Sequence, residues 1–389
     1  MKVLLVVHAF PPDGCGGTER YAAALAGGLA ARGHAVEVFC GSLEWRPRRE
    51  VAHAVGATVP VTRLHRDDLY FDHWDKGPHP WVAAQFEALL DRFRPDVVHL
   101  HHWIRLGTDL VRRAAARGVP SVVHLHDLHS SCPRVFRLRP GANADDLDVP
   151  CREPFGRASC TPCVPRFGHE SDAQLGAALD RYGDDAGGEL AAAVVRLAPS
   201  PSHATRIALH APVAAAIAVL PHPRLETGIV APCLRADSPA GRLRVNCATL
   251  LAPLKGAQVL LAAARQLAAA EAGAPAGQPP GGLSLDLHGG FATAEHERQL
   301  RSLAAALDVR FHGPYAADEP CRTPADVVVL PTLAPESWSF WLDEAGRMAL
   351  PVIASDTGAI GERVRALAAA GGGAARVRLV PPGDPVALA

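Results

Sequence analysis

The sequence predicts an α/β protein of two domains, each built on a mostly parallel sheet with helices on both faces. Two observations carry this. Short apolar runs alternate with helical stretches in two separate series, and a Pro- and Gly-dense stretch divides them. At 389 residues the chain has room for two hydrophobic cores of ordinary size.

The first series opens on "KVLLVV", a continuous apolar run of the kind found in strands buried on both faces. The loop "FPPDGCGGTE" follows, then the helical "RYAAALAGGLAAR", with Gly33 as a stop signal before the strand "AVEVF". "DVVHLHH" (96–102) and "SVVHLHD" (121–127) are two more strands, joined by the helical "LGTDLVRRAAARG". From 128 to 190 the pattern becomes irregular, with Cys and Pro, and is read as an insert in an N-terminal domain of residues 1–198. Residues 199–241, with "PSPSH", "LPHP" and "DSPAGR", read as an interdomain linker.

The second series, 242–389, runs "LRVNCATLL", a helix over 256–270, "LSLDLHG", a helix over 293–307, "VRFHG" and "DVVVLP". A helix near 337–349, "PVIAS" and "RVRLVPP" complete it. Two such halves imply a cleft, with ligands bound off the carboxyl ends of the strands. Asp384 as N-cap and Pro385 at the first helical position open a helix that stops after four residues, which predicts a truncated final helix.

A net charge of −1 excludes a basic nucleic-acid-binding face. No run of about 18 apolar residues appears, and the first strand turns into a loop too early for a signal peptide. The expectation is a soluble, cytoplasmic protein, with peripheral contact at the inner face of a membrane compatible with the sequence. Lysine occurs only at Lys2, Lys76 and Lys255 among 39 basic residues, a bias shared with the heavy Ala, Gly and Pro use. A lysine in a loop therefore stands out.

"GCGG" (14–17) separates the first strand from the first helix, where glycines let a ligand approach the backbone near free helix N–H groups. Its spacing is not G-x-G-x-x-G, because Glu19 fills the last slot, so a dinucleotide site is not indicated. Lys255 opens the second domain's first helix, suited to neutralising a phosphate rather than serving as an ordinary surface lysine. His99, His101, His102, His124, His126 and His129 gather where strands end. Alternate positions share a strand face, and a polar wall against a sugar is preferred here over a metal site or structural hydrogen bonds.

Glu336 and Glu344 stand eight apart in "PESWSFWLDEA". On a straight helix that spacing rises about 12 Å and turns about 80° beyond two full turns. Such carboxylates suit opposite ends of an elongated polar ligand, or merely a helix N-terminal charge and a solvated one. Four of nine cysteines (Cys132, Cys151, Cys160, Cys163) fall in the insert, the last two as C-T-P-C. That pair suits two corners of a thiolate tetrahedron, so structural zinc is preferred over an iron–sulfur cluster or unrelated free thiols. Cys15, Cys40, Cys233, Cys247 and Cys321 read as small apolar fillers.

Taken together, "FPPDGCGGTERYAAALAGGLAARGHAVEV", "PDVVHLHH", "SVVHLHDLHSSCPR", "APLKGAQVLLAAARQL" and "PESWSFWLDEAGRMALPVIASDTGAIGE" resemble the GT-B-fold, nucleotide-sugar-dependent retaining glycosyltransferases of family four. The last segment, an E-x7-E motif, is the most specific. The resemblance implies two Rossmann-like domains facing a cleft. It implies transfer of a sugar from a nucleoside diphosphate sugar, with retention and no catalytic metal, to a glycan, lipid-linked or small-molecule acceptor. Glu336 would then contact the donor sugar and Glu344 the ribose. Lys255 and the amides around Ser339 and Phe340 would hold the diphosphate. Gly16 and Gly17 would line the acceptor and phosphate side, and His126 would sit beside the transferred sugar. The sequence departs from the family pattern at Thr249 and Leu250, where Gly and Arg or Thr are common, and at Ser339, where Gly is common. Those departures keep two alternatives open: a non-catalytic nucleotide-sugar-binding relative and a nucleotide-sugar epimerase.

Overall fold

The computed structural model describes residues 1–14, 16–55, 58–68, 74–75, 77–141, 147, 149–166, 168–210, 216–223, 225, 242–272, 282–315, 319–369 and 376–389. Cys15, Lys76, Cys233 and much of the 199–241 stretch therefore lie outside the described residues. The chain forms two compact units, Met1–Arg137 with Arg152–Leu225, and Leu138–Cys151 with Glu226–Ala389. Residues 138–151 thus fall with the second unit.

In the first unit the chain runs β1 (Lys2–Val7), α1 (Gly17–Ala31), β2 (Ala35–Gly41), β3 (Glu50–Val55), β4 (Pro60–His65), α2 (Pro80–Phe93), β5 (Val97–Leu100), α3 (Leu110–Ala116) and β6 (Ser121–His124). The two-residue strands β7 (Leu138–Arg139) and β8 (Val149–Pro150) pair antiparallel with each other within the second unit. The first unit resumes with α4 (Arg157–Cys160), α5 (Asp172–Ala192), β9 (Val195–Ala198), α6 (Pro201–His210) and β10 (Ala218–Val219). Its eight-stranded sheet has the order β10-β9-β6-β5-β1-β2-β4-β3, parallel except for β3 against β4.

Strand alternation accounts for the apolar runs. Leu4 and Val6 of β1 join one core with Phe39, Phe86 and Leu100, while Val3, Leu5 and Val7 join another with Ala22, Val36 and Val38. A strand covered on both faces cannot alternate with polar residues, which is why "KVLLVV" reads as continuous.

The second unit runs β11 (Leu243–Ala248), α7 (Ala257–Ala272), β12 (Leu283–His288), α8 (Ala294–Ala304), β13 (Asp308–Gly313), α9 (Glu319–Arg322), β14 (Val327–Leu330), α10 (Phe340–Arg347), β15 (Val352–Ser355), α11 (Gly358–Ala369), β16 (Val377–Val380) and α12 (Pro385–Leu388). Its six-stranded sheet, β13-β12-β11-β14-β15-β16, is parallel throughout. Alternate residues again serve two layers: Val327 and Val329 of β14 face one core, Val328 and Leu330 the other. The parallel-sheet expectation holds for both units. Asp384 caps α12 by accepting from the amides of Val386 and Ala387.

The sequence-based reading has no counterpart for β3, β4, α2, α9 and α11, and the expected linker holds α6 and β10. The larger correction is in the insert, expected to be irregular over 128–190. It holds the 21-residue helix α5, opened by a reciprocal Ser171–Gln174 capping box. Four glycines disguise the helix in sequence, although S-x-x-Q was a readable start signal. The insert also has an apolar cluster of its own, Trp74, Val164, Leu175, Ala178, Leu179 and Tyr182, with Phe155 and Cys160 packed against it. Its neck is closed by Arg137, whose guanidinium donates to the carbonyl of Ser131 (3.0 Å) and to that of Glu153.

One buried carboxylate ties α5 to the sheet. Glu189, 1 % exposed, accepts from Trp103 Nε1 (2.8 Å), Val111 N (2.8 Å) and Arg112 N (3.0 Å), so it caps the start of α3 from another helix. Among the described residues no helix is long and apolar enough to cross a membrane. Glu189→Ala strands three buried donors, each costing about 1–3 kcal/mol when unmet. We expect a stability loss of at least about 3 kcal/mol, read as a lower urea midpoint for the first unit, with Glu189→Gln less damaging.

Candidate functional site

Candidate residues occur in each unit. In the second, chain order reverses between β11 and β14, the kind of position off the carboxyl ends of the strands where α/β sheets bind ligands. After β11 the chain makes a tight turn over Pro253–Lys255 and enters α7 through Gly256. After β14 it runs through Pro331–Ser339 into α10. The two loops are stitched together: Leu254 O accepts from Leu333 N (2.9 Å) and Ala334 N (3.2 Å). Gly256 (φ +77°) makes this approach feasible, since a Cβ there would lie 1.9 Å from the Pro331 carbonyl oxygen.

Across this seam Lys255 Nζ meets Glu336 Oε1 at 2.5 Å, and Thr332 Oγ1 lies 3.2 Å from the same oxygen. Both charged side chains stay partly accessible, at 24 % and 17 %. The backbone of Glu336 is fixed from the far side: its carbonyl accepts from Ala359 N (2.8 Å) at the start of α11.

Glu336 precedes α10 instead of lying on it, so the straight-helix spacing expected between the two glutamates does not apply. The reason is Ser339, the N-cap with a φ of +72°, so that the helix starts at Phe340, four residues beyond Glu336. That left-handed conformation disfavours a side chain, which explains why glycine would suit the position. Arg363 compensates by donating to the carbonyls of Trp338 (2.9 Å) and Ser339 (3.0 Å) while its guanidinium lies 3.9 Å over the Trp338 ring. It also pairs with Asp343, which accepts from Trp338 Nε1 at 2.9 Å. The acid in the first turn of α10 is therefore charge-compensated, and the helix start keeps its positive end. Glu344 is buried in the second turn of α10, at 4 % exposure.

In the first unit the carboxyl ends of β1, β5 and β6 carry histidines. His124 and His126 stack at 4.3 Å, as do His99 and His101, and His101 Nδ1 shares a 3.0 Å hydrogen bond with His126 Nε2. Tyr21 of α1 packs edge-on against His124 and His126, and against His222 at 4.3 Å. Burial pushes the Tyr21 phenol up to about 12 and holds His126 well below the ordinary imidazole range, with the neighbouring imidazoles adding to the latter.

Beside them runs a second chain of polar groups. Glu19 Oε1 lies 3.1 Å from His8 Nε2, the His8 and His102 rings are 4.7 Å apart, and His102 Nε2 meets Asp127 Oδ2 at 2.8 Å. Burial works to raise both carboxyls, yet His8 holds Glu19, and His102 holds Asp127, below the ordinary carboxylate value. Gly16 caps α1 and Gly17 begins it, but the Glu19 carboxylate folds back over this loop: a Cβ on Gly16 would lie 2.7 Å from Glu19 Oε2. An acid of the chain itself therefore already faces the N-terminus of α1. Sequence reasoning missed His8, Asp127, Tyr21 and His222; for His8 and Asp127 the signal was their place just past a strand end.

Of the insert cysteines, Cys132, Cys160 and Cys163 fall in the first unit and Cys151 in the second. Cys160 packs on the Trp74–Tyr182 cluster.

Both units are Rossmann-like α/β sheets, and the second carries its charged pair at the strand-order reversal, where such sheets bind ligands. Residues 15–223 match the model of Glycosyltransferase Family 4, and residues 243–389 that of Glycosyl transferases group 1; the chain belongs to this glycosyltransferase family. The GT-B fold is shared with solved structures. HepE from Anabaena in complex with UDP is 18 % identical with a TM-score of 0.57, covering 100 % of this chain and 88 % of that one. Sucrose-phosphate synthase from Thermosynechococcus elongatus is 16 % identical (TM-score 0.63), with the same coverage of 100 % and 88 %. A UDP-forming trehalose-phosphate synthase from Burkholderia xenovorans in complex with glucose-6-phosphate is 12 % identical (TM-score 0.64), covering 100 % and 91 %. No curated protein matches the chain in sequence.

Gly256→Ala forces a methyl group into the Pro331 carbonyl at a positive φ. We expect a destabilisation of more than about 2 kcal/mol and separation of the two loops, measured by denaturant unfolding. A pH effect follows from histidines kept neutral. Burial pushes His203 from 6.5 to about 4, and burial with the nearby His312 does the same to His288 in the second unit. Between these values the unfolded chain binds protons that the folded chain refuses. The stability these groups contribute is thus complete above pH 6.5 and falls as pH drops toward 4. Urea midpoints should decline steadily over that window; a flat profile would contradict the assignment.

Proposed function

We propose that the protein transfers a sugar from a nucleoside diphosphate sugar to an acceptor hydroxyl, with retention at the anomeric carbon. The N-terminal half (1–198) acts as the acceptor side and 242–389 as the donor side, joined through 199–241. The observation that carries this reading is the 2.5 Å Lys255–Glu336 pair over the β11/β14 reversal. In it an ammonium suited to a diphosphate and a carboxylate suited to sugar hydroxyls neutralise each other at a ligand-binding position of the fold. Donor entry places the diphosphate at Lys255, and the released Glu336 carboxylate accepts hydrogen bonds from the sugar. The start of α10 at Ser339 and Phe340 faces the diphosphate, and Glu344 takes the ribose.

Departure of the nucleoside diphosphate builds negative charge, which the ammonium and preorganised amides stabilise without reorganising. His126 stands beside the transferred sugar, and Gly16 and Gly17 line the acceptor side. HepE was crystallised with UDP and with UDP-glucose, which makes uridine diphosphate sugars the first donors to try. Cytoplasmic placement, with or without peripheral contact at the inner face of a membrane, suits such a donor.

Leu250, 54 % exposed where relatives commonly carry Arg or Thr, favours a second reading: a relative that binds donor and does not turn it over. Nucleoside diphosphate release with panels of donors and acceptors separates the two, since binding without release would support the second. Lys255→Ala should weaken UDP binding about tenfold or more in a calorimetric titration while circular dichroism stays unchanged, in line with about 1.5–3 kcal/mol for a hydrogen bond to a charged group. Unaltered affinity would remove Lys255 from the phosphate role.

A further inference from the structure

The geometry points to a nitrogen-ligated site for a zinc-class divalent cation, formed by His99 and His101 on and just beyond β5 and by His124 at the end of β6. One ring nitrogen of each lies within 4.8 Å of the others. This spacing comes from the sheet. His99 and His101 share a face by the two-residue strand period, and the parallel pairing of β5 with β6, Leu100 opposite Val123, brings His124 alongside.

Two further observations support a ligand there. First, His99 Nε2, His101 Nε2 and both nitrogens of His124 are buried without a hydrogen-bond partner. Buried polar atoms in that condition call for an explanation, and a cation in reach of all three rings is one. Second, His101 is bonded through Nδ1 to His126 Nε2 at 3.0 Å, leaving Nε2 outward. Metal-ligating imidazoles are typically oriented in this way through their other nitrogen.

A donor set of imidazoles, with no carboxylate or thiolate, selects zinc, cobalt or nickel over magnesium and calcium. The rings lie nearly face to face, 6° apart in plane for His99 and His124. Zinc–nitrogen bonds of about 2.1 Å therefore require side-chain rotations that bring the nitrogens to about 3.4 Å from one another. His124, His126 and His222 form a similar group, but the His126 nitrogen facing His101 is already engaged. The site does not depend on the transferase reading, and its test reads metal alone.

The experiment titrates untagged, chelator-treated full-length protein with Co2+ and then Zn2+, following visible d–d absorption. We expect one equivalent of Co2+ with a nitrogen-only spectrum, displaced by Zn2+. Affinity should fall more than about 100-fold in His99→Gln and in His124→Gln, beyond the about 10–100-fold typical of outer-shell changes. Circular dichroism separates ligand loss from misfolding, and His99→Gln, at a half-buried position, keeps the test valid if His124→Gln does not fold. No binding at one equivalent would overturn the assignment. So would a thiolate-to-cobalt charge-transfer band, which would place the metal on the insert cysteines, or binding that survives His99→Gln.

Discussion

The second unit is organised around one electrostatic contact, the ammonium of Lys255 against the carboxylate of Glu336. Neither group could be held there singly, because each is partly withdrawn from water and a lone charge in that setting is costly. Together they define the distance between the loops that follow β11 and β14. The backbone stitching of Leu254 to Leu333 and Ala334, the left-handed Gly256 and the clasp of α11 on the Glu336 carbonyl all serve that distance. A pair of this kind is also exchangeable. Each member can trade its partner for a group of matching charge on a ligand, at little net electrostatic cost.

The first unit solves the opposite problem. Its strand ends carry imidazoles, and burial holds His99, His124 and His126 below the ordinary imidazole range. His8 helps hold Glu19, and His102 with His129 helps hold Asp127, below the ordinary carboxylate value. The two units thus present unlike chemistry at strand ends of related sheets: an ion pair on one, and a cluster of buried imidazoles on the other.

Much of this was readable in the sequence, and the reasons are physical. Parallel strands buried on both faces yield uninterrupted apolar runs such as "KVLLVV" and "DVVVLP", so the fold class followed directly. Lys255 and Glu336 were marked by place and rarity. What escaped was conformation that depends on distant contacts. No local pattern shows that Ser339 adopts φ +72°, because Arg363 supplies the restraint from 24 residues away. The glycines of α5 concealed a helix anchored by its Glu189 and by packing of its Leu175, Leu179 and Tyr182 with Trp74 and Val164. The histidines that meet in space come from separate strands, and no local spacing shows that they meet.

Residues 138–151 leave the first half of the sequence to join the second unit, where Leu147 packs on the core beside Gly383. Arg137 pins both ends of this excursion at its base. Neither lobe is therefore a continuous stretch of polypeptide. A gene split at the linker would carry a piece of one lobe's packing away on the other fragment, so recombination between relatives must exchange this hairpin together with the C-terminal half to remain compatible.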